Sequence, residues 1–106
     1  MGVLLVMSKN YYKFWPKRVP KTLTVPKTSL YYNLEVSANR YPDKTAINYY
    51  ESLLTYRQLL NDVNKFAGFM QKKLRISKGD RVLLYMQNCP QFIIAYYAIL
   101  RIDAIV

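Results

Sequence analysis

A chain of 106 residues with 52% hydrophobic and 21% charged residues has the length of one domain and the composition of a folded protein, which excludes a disordered tail. The net charge of +10 is uneven: Lys9, Lys13, Lys17, Arg18, Lys21 and Lys27 all precede the first acid, Glu35, whereas the remaining ten basic residues face all six acids. One cysteine, Cys89, excludes an internal disulfide and fits a reducing, cytoplasmic compartment. The absence of histidine removes the commonest general base and the usual Cys/His zinc sites.

At the N-terminus the apolar run Val3 to Val6 is shorter than the roughly 7–15 residues of a secretory core. Gly2 is followed at position 6 by Val6 rather than Ser or Thr, which does not fit myristoylation. No stretch approaches the ~20 apolar residues of a membrane span. Residues 9–28 are expected to form an extended arm. Pro16, Pro20 and Pro26 each fix their own φ and bias the preceding residue toward extended geometry. Tyr11, Tyr12, Phe14 and Trp15 open this arm and are expected to anchor it on a folded surface. Its basicity suits a solvated segment or an anionic partner, whether a lipid surface, an acidic protein face or nucleic acid.

Ser29 is expected to cap a short helix whose inner face carries Leu30, Leu34 and Ala38, spaced i, i+4, i+8. It stops near Tyr41-Pro42, and Pro42-Asp43-Lys44 reads as a turn. Residues 45–50 are β-branched and aromatic enough for a strand, with Glu51-Ser52 turning into a second strand at Leu53-Leu54. Thr55-Tyr56-Arg57-Gln58 matches a capping box, with Leu54 and Leu59 as its hydrophobic staple. Tyr56, Leu59, Leu60, Val63, Ala67, Met70 and Leu74 then predict an amphipathic helix of about five turns. Lys72, Lys73 and Arg75 suit the negative end of its dipole.

Ser77-Lys78-Gly79-Asp80 reads as a turn, and the unbroken apolar run at residues 81–86 as a strand covered on both faces. Asn88 is expected to cap the next helix, with Pro90 in its first turn. That helix, residues 90–102, is apolar almost all round and is expected to be buried. Ala104-Ile105-Val106 reads as the start of a further strand, so the chain is expected to be truncated relative to the fold it encodes. The order predicts an α/β layered fold with a parallel sheet. The domain reading is an arm over residues 1–28 and the truncated start of a larger domain over 29–106.

Little in this sequence carries chemistry. Glu35, Asp43, Glu51, Asp62, Asp80 and Asp103 are scattered, and Asp62 and Asp80 read as structural. Gly2, Gly68 and Gly79 build no phosphate loop. Cys89 lies at a helix start that favours a thiolate, but has no base beside it in sequence. Aromatic and basic residues interleave near the N-terminus without any RNA-module pattern, so nucleic acid is not the expected partner.

Five pieces in register carry a resemblance. They are Tyr41-Pro42-Asp43-Lys44-Thr45-Ala46-Ile47; Leu54-Thr55-Tyr56 with Leu59 and Ala67; Lys78-Gly79-Asp80-Arg81-Val82; Gln87-Asn88-Cys89-Pro90-Gln91-Phe92; and residues 95–100, Ala-Tyr-Tyr-Ala-Ile-Leu. Together with Phe14-Trp15-Pro16, Pro20, Ser29-Leu30 and Asn33-Leu34-Glu35, this pattern resembles the AMP-forming, adenylate-forming enzymes, and within them the long- and medium-chain fatty acyl-CoA ligases. Asp103 stands where many members have glycine, and Cys89 where a small hydroxyl residue is common.

The resemblance implies a parent ligase of fatty acid metabolism that uses ATP, Mg and CoA to make an acyl-adenylate and then an acyl-CoA. The family's Ser/Thr/Gly-rich loop ending in Pro-Lys-Gly, its acidic set and its C-terminal lysine have no counterpart here. No catalytic, cofactor-binding or metal residue is therefore assigned. Thr55, Gly79, Asp80, Asn88 and Pro90 are expected to be caps and turn formers. The expected partners are the rest of a ligase chain, the inner face of a membrane through the arm, and other copies through open apolar surface. The alternative is a stand-alone basic module for anionic membranes or acidic partners. The coding sequence downstream discriminates the two, since the ligase reading requires the phosphate loop there.

Overall fold

The structure is a computed structural model and describes residues 9–106. The apolar run at residues 3–6 and Gly2 lie outside the described residues. The arm is not extended throughout. Lys9–Phe14 form a 3-10 helix, and prolines shape the chain beyond it. The Trp15 N–H donates to the Tyr12 carbonyl at 3.3 Å, and the Val19 N–H to the Pro16 carbonyl at 3.1 Å. The aromatic residues Tyr11, Tyr12 and Trp15 gather on one another. Ring centroids lie 4.6 Å apart for Tyr11–Tyr12 and 5.9 Å for Tyr12–Trp15, while Phe14 is 88% exposed.

Helix α1 spans Leu30–Arg40 and is capped as expected, the Ser29 hydroxyl accepting from the Tyr32 N–H. Its inner face differs by one residue. Tyr31, Leu34 and Ala38 are buried, and Leu30 is 55% exposed. Tyr31 takes the inner position because its polar tip has a partner there: its hydroxyl donates to Asn64 Oδ1 at 3.1 Å. The Arg101 guanidinium lies 4.8 Å from the Tyr31 ring centroid, so this residue touches both other long helices.

Strands β1 (Thr45–Tyr49) and β2 (Ser52–Thr55) form an antiparallel hairpin. The turn is Tyr50-Glu51, not Glu51-Ser52. Both residues have positive φ, 46° and 67°, as a two-residue hairpin turn matching the strand twist requires. Neither is Gly or Asn, which hides the turn from a residue-type reading. A register shift between Thr45 and Ile47 puts a bulge at Ala46.

Helix α2 spans Tyr56–Lys72 with the full capping box. The Gln58 N–H donates to Thr55 Oγ1 at 3.3 Å, and Gln58 Oε1 accepts from the Thr55 N–H at 2.9 Å. Two further first-turn amides are satisfied by the preceding turn. The Tyr56 N–H donates to the Lys44 carbonyl at 3.0 Å and the Arg57 N–H to the Pro42 carbonyl at 2.9 Å. The helix ends earlier than expected, since Arg75 turns to a φ of 58° and Leu74 is exposed. Of the three basic residues, Lys72 alone occupies the last turn.

Helix α3 spans Pro90–Arg101, with Pro90 in the first turn. Cys89, not Asn88, is the N-cap residue, and no side chain bonds the first-turn amides. The core lies where the three helices meet. It joins Leu34 of α1, Leu59, Val63, Ala67 and Met70 of α2, and Ala98 and Ile99 of α3, with Ile102 and Ala104 beyond it. Alanines at 67 and 98 leave room for the bulkier neighbours Met70 and Ile99. Ala46, Ile47 and Leu54 of the hairpin pack against this cluster. Helix α3 is less enclosed than its composition suggests: Ala95, Ala98 and Ile99 are buried, whereas Phe92, Ile93, Ile94, Tyr97 and Leu100 are half-buried.

The expected strand at residues 81–86 reduces to a single parallel bridge between Arg81 and Ile105. The Val82 N–H donates to the Ile105 carbonyl at 2.8 Å, and the Ile105 N–H to the Asp80 carbonyl at 2.7 Å. Val82 and Leu84 pack on the core, while Leu83 and Tyr85 are 86% and 93% exposed. A strand covered on both faces needs a layer on each. Among the described residues only the core side is filled, so the sheet does not extend.

Candidate functional site

The hairpin and the start of α3 face one another across a groove of about 360 Å³. Ile47, Asn48 and Tyr49 form one side, and Asn88, Cys89, Pro90, Phe92 and Ile93 the other. The walls are mostly apolar, and Cys89 brings a free, half-buried thiol. Nucleophilic chemistry needs a base beside such a thiol. The chain has no histidine, and the polar lining is two neutral amides and a phenol. The groove is therefore an apolar cleft whose thiol has no histidine beside it.

The motifs of the sequence act on backbone. Pro42 and Lys44 offer their carbonyls to the start of α2, and Asp43 pairs with Arg57 at 3.1 Å on the surface. Such an exposed pair contributes little. Thr55 and Gln58 cap α2. Gly79 has a φ of 86° and donates its N–H to the Asp103 carbonyl at 2.9 Å. Asp80 Oδ2 accepts from the Ser77 N–H at 2.7 Å, closing the turn. Asp103 has a φ of 59°, a left-handed conformation that glycine adopts without strain and Asp tolerates. That explains why glycine would suit this position.

Asp62 is half-buried on α2. Among the described residues, no three His, Cys, Asp or Glu side chains come together as a metal site would require. The Gly79 amide is bonded to Asp103 and Gly68 lies inside α2, so neither glycine opens a phosphate loop. Two groupings had no signal in the sequence. Asn64 links Tyr31 and Arg101, with Arg101 Nε donating to its Oδ1 at 3.4 Å, and the groove joins two segments distant along the chain. Both arise from tertiary packing, of helix on helix in the first and of hairpin against α3 in the second, which brings together residues with no shared local pattern.

Known proteins resemble this arrangement. A family model described as AMP-binding enzyme matches residues 34–106. A long-chain-fatty-acid–CoA ligase of Bacillus subtilis (strain 168) is 42% identical over 92 residues, covering 87% of this chain and 16% of that protein. One from Yersinia pestis is 36% identical over 101 residues, covering 94% of this chain and 18% of that protein. This chain thus spans less than a fifth of the length of these relatives. Among solved structures, the Klebsiella oxytoca NpsA N-terminal subdomain superposes with a TM-score of 0.68 at 25% identity, covering 72% of this chain and 20% of that one. The anthranilate CoA ligase AuaEII in complex with anthranoyl-AMP shares the fold at a TM-score of 0.67 and 23% identity, over 76% of this chain and 15% of that one.

Proposed function

This chain belongs to the AMP-binding enzyme family, and we propose that it forms the opening scaffold of a long-chain fatty acid–CoA ligase. The observation that carries this reading is the 42% identity to a ligase of that name over 87% of the chain. In such a ligase ATP, Mg and CoA supply acyl-adenylate and then acyl-CoA formation. No step of that chemistry is assigned to residues of this chain, whose glycines build no phosphate loop and whose described His, Cys, Asp and Glu side chains form no cluster of three. Its role is positional. Helices α1, α2 and α3 build a platform, and the half-buried Phe92, Ile93 and Tyr97 with the exposed Leu83 and Tyr85 present apolar surface to the rest of a ligase.

The test is fatty-acid-dependent ATP–pyrophosphate exchange with three samples: the chain alone, the Bacillus subtilis ligase lacking its matching 92 residues, and the two mixed. We expect background exchange from each alone and exchange above background from the mixture. Exchange by the chain alone would overturn the positional role. No rescue, where the relative's own 92-residue segment does rescue, would overturn the scaffold reading.

A further inference from the structure

We propose that residues 81–85 pair with the same residues of a second copy of this chain, antiparallel about a two-fold axis at Leu83. In the scaffold role this segment offers its outward side chains; the pairing uses its backbone edge and does not rest on that role.

The bonds already made define the open edge. The Val82 N–H donates to the Ile105 carbonyl at 2.8 Å, and the Asp80 carbonyl accepts from the Ile105 N–H at 2.7 Å. Successive residues of an extended chain turn their backbone groups to opposite edges. Those of Arg81, Leu83 and Tyr85 therefore point away from Ile105. Among the described residues no hydrogen bond uses them. The segment is also preset for pairing. Residues 82–85 run without a turn or bend, and Val82 and Leu84 hold its inner face on the core. Leu83 and Tyr85, on the outer face, are 86% and 93% exposed. Free backbone groups beside bare apolar side chains invite another strand.

Register and charge point to a second copy as that strand. Two identical edges related by a two-fold axis run antiparallel. With the axis at Leu83, each Leu83 faces its counterpart and Arg81 faces the partner's Tyr85. All three outward residues of each copy then exchange both backbone bonds with the other copy. Moving the axis to Val82 would bring in Gly79, whose N–H is committed to the Asp103 carbonyl at 2.9 Å. Moving it to Leu84 would bring in Gln87, beyond the bend at Met86. Moving it to Arg81 would set two guanidinium groups against each other, a destabilising pair. The Leu83 register instead lays each exposed Arg81 beside a tyrosine ring, a favourable cation–π pair, and opposes no like charges over residues 81–85.

The 106-residue chain is examined by sedimentation equilibrium across the micromolar range under reducing conditions. We expect a monomer–dimer equilibrium with no larger species. Arg81→Ala, which removes two symmetric cation–π pairs, should weaken it by about tenfold. Disulfide trapping reads the register in a Cys89→Ser background. Leu83→Cys should oxidise to a covalent dimer, because facing bonded residues lie about 5.5 Å apart at Cα, within disulfide reach. Tyr85→Cys should stay monomeric, since its counterpart would be about 14 Å away. Both positions are exposed, so the far-UV spectrum should not change. In amide exchange read by NMR, the Leu83 and Tyr85 N–H groups should slow as concentration rises, and those of Leu84 and Met86 should not. A monomeric mass throughout would overturn the proposal and leave the edge to a strand of another protein. Equal trapping at 83 and 85, or protection of Leu84 and Met86 in place of Leu83 and Tyr85, would also overturn it.

Discussion

Truncating Ile99 tests whether the α2–α3 core holds the chain together. Its side chain is fully buried at 0% exposure, inside the cluster that includes Val63, Ala67 and Met70. Ile99→Ala removes three carbons from that cluster, about 0.8 kcal/mol each in transfer free energy. The unfilled space raises the loss to roughly 3–4 kcal/mol, within the range for such truncations. The Ile99 carbonyl still accepts from the Ile102 and Ala104 N–H groups, at 3.3 and 3.1 Å, so the loss is one of packing. Even a complete domain of this size holds about 5–15 kcal/mol in all. Leu83→Ala, at an 86% exposed position, should change stability by less than about 0.5 kcal/mol. Urea unfolding followed by far-UV circular dichroism at low protein concentration reads both. With a slope of about 1–2 kcal/mol/M, the Ile99→Ala midpoint should fall by roughly 2 M. Equal midpoints for the two variants would refute the placement of the core.

Three further outcomes are expected. Thr55→Ala and Gln58→Ala should each destabilise by about 1 kcal/mol, and the double variant by less than their sum, because the two side chains serve one cap; additive losses in the same urea assay would argue against the box. Replacing Tyr50-Glu51 by Asn-Gly should stabilise the hairpin by about 1 kcal/mol, since both positions hold positive φ, and a lower midpoint would show that the turn is wrongly placed. Leu83→Lys with Tyr85→Lys should reduce concentration-dependent association in analytical sedimentation, as charge on an open edge opposes pairing with another copy; unchanged association would assign it to another surface.

Local elements were legible from residue type, and elements that need a distant partner were not. The capping box, Ser29 and Pro90 were readable because a cap is decided within three or four residues. Leu30 and Tyr31 were exchanged because the choice depends on Asn64, a residue of another helix. The hairpin turn was misplaced by one residue since Tyr50 and Glu51 adopt a conformation their side chains disfavour. Residues 81–86 read as a strand on their composition, yet a strand requires neighbours, and composition is silent on whether these are supplied. For the candidate groove, Cys89 and Asn88 were singled out, but nothing near them in sequence pointed to residues 47–49.

The bonds that close residues 79–82 onto 103–105 also order events in time. The Gly79, Val82 and Ile105 amides have partners roughly two dozen residues away in sequence, so these bonds carry a loop-closure cost that the caps and the hairpin avoid. They form only once α3 has folded and the segments that flank it have met, which places them late in folding. The same three amides should be among the first to exchange with solvent deuterium, ahead of those in the middle of α2, because opening this seam leaves the capped helix and the hairpin intact.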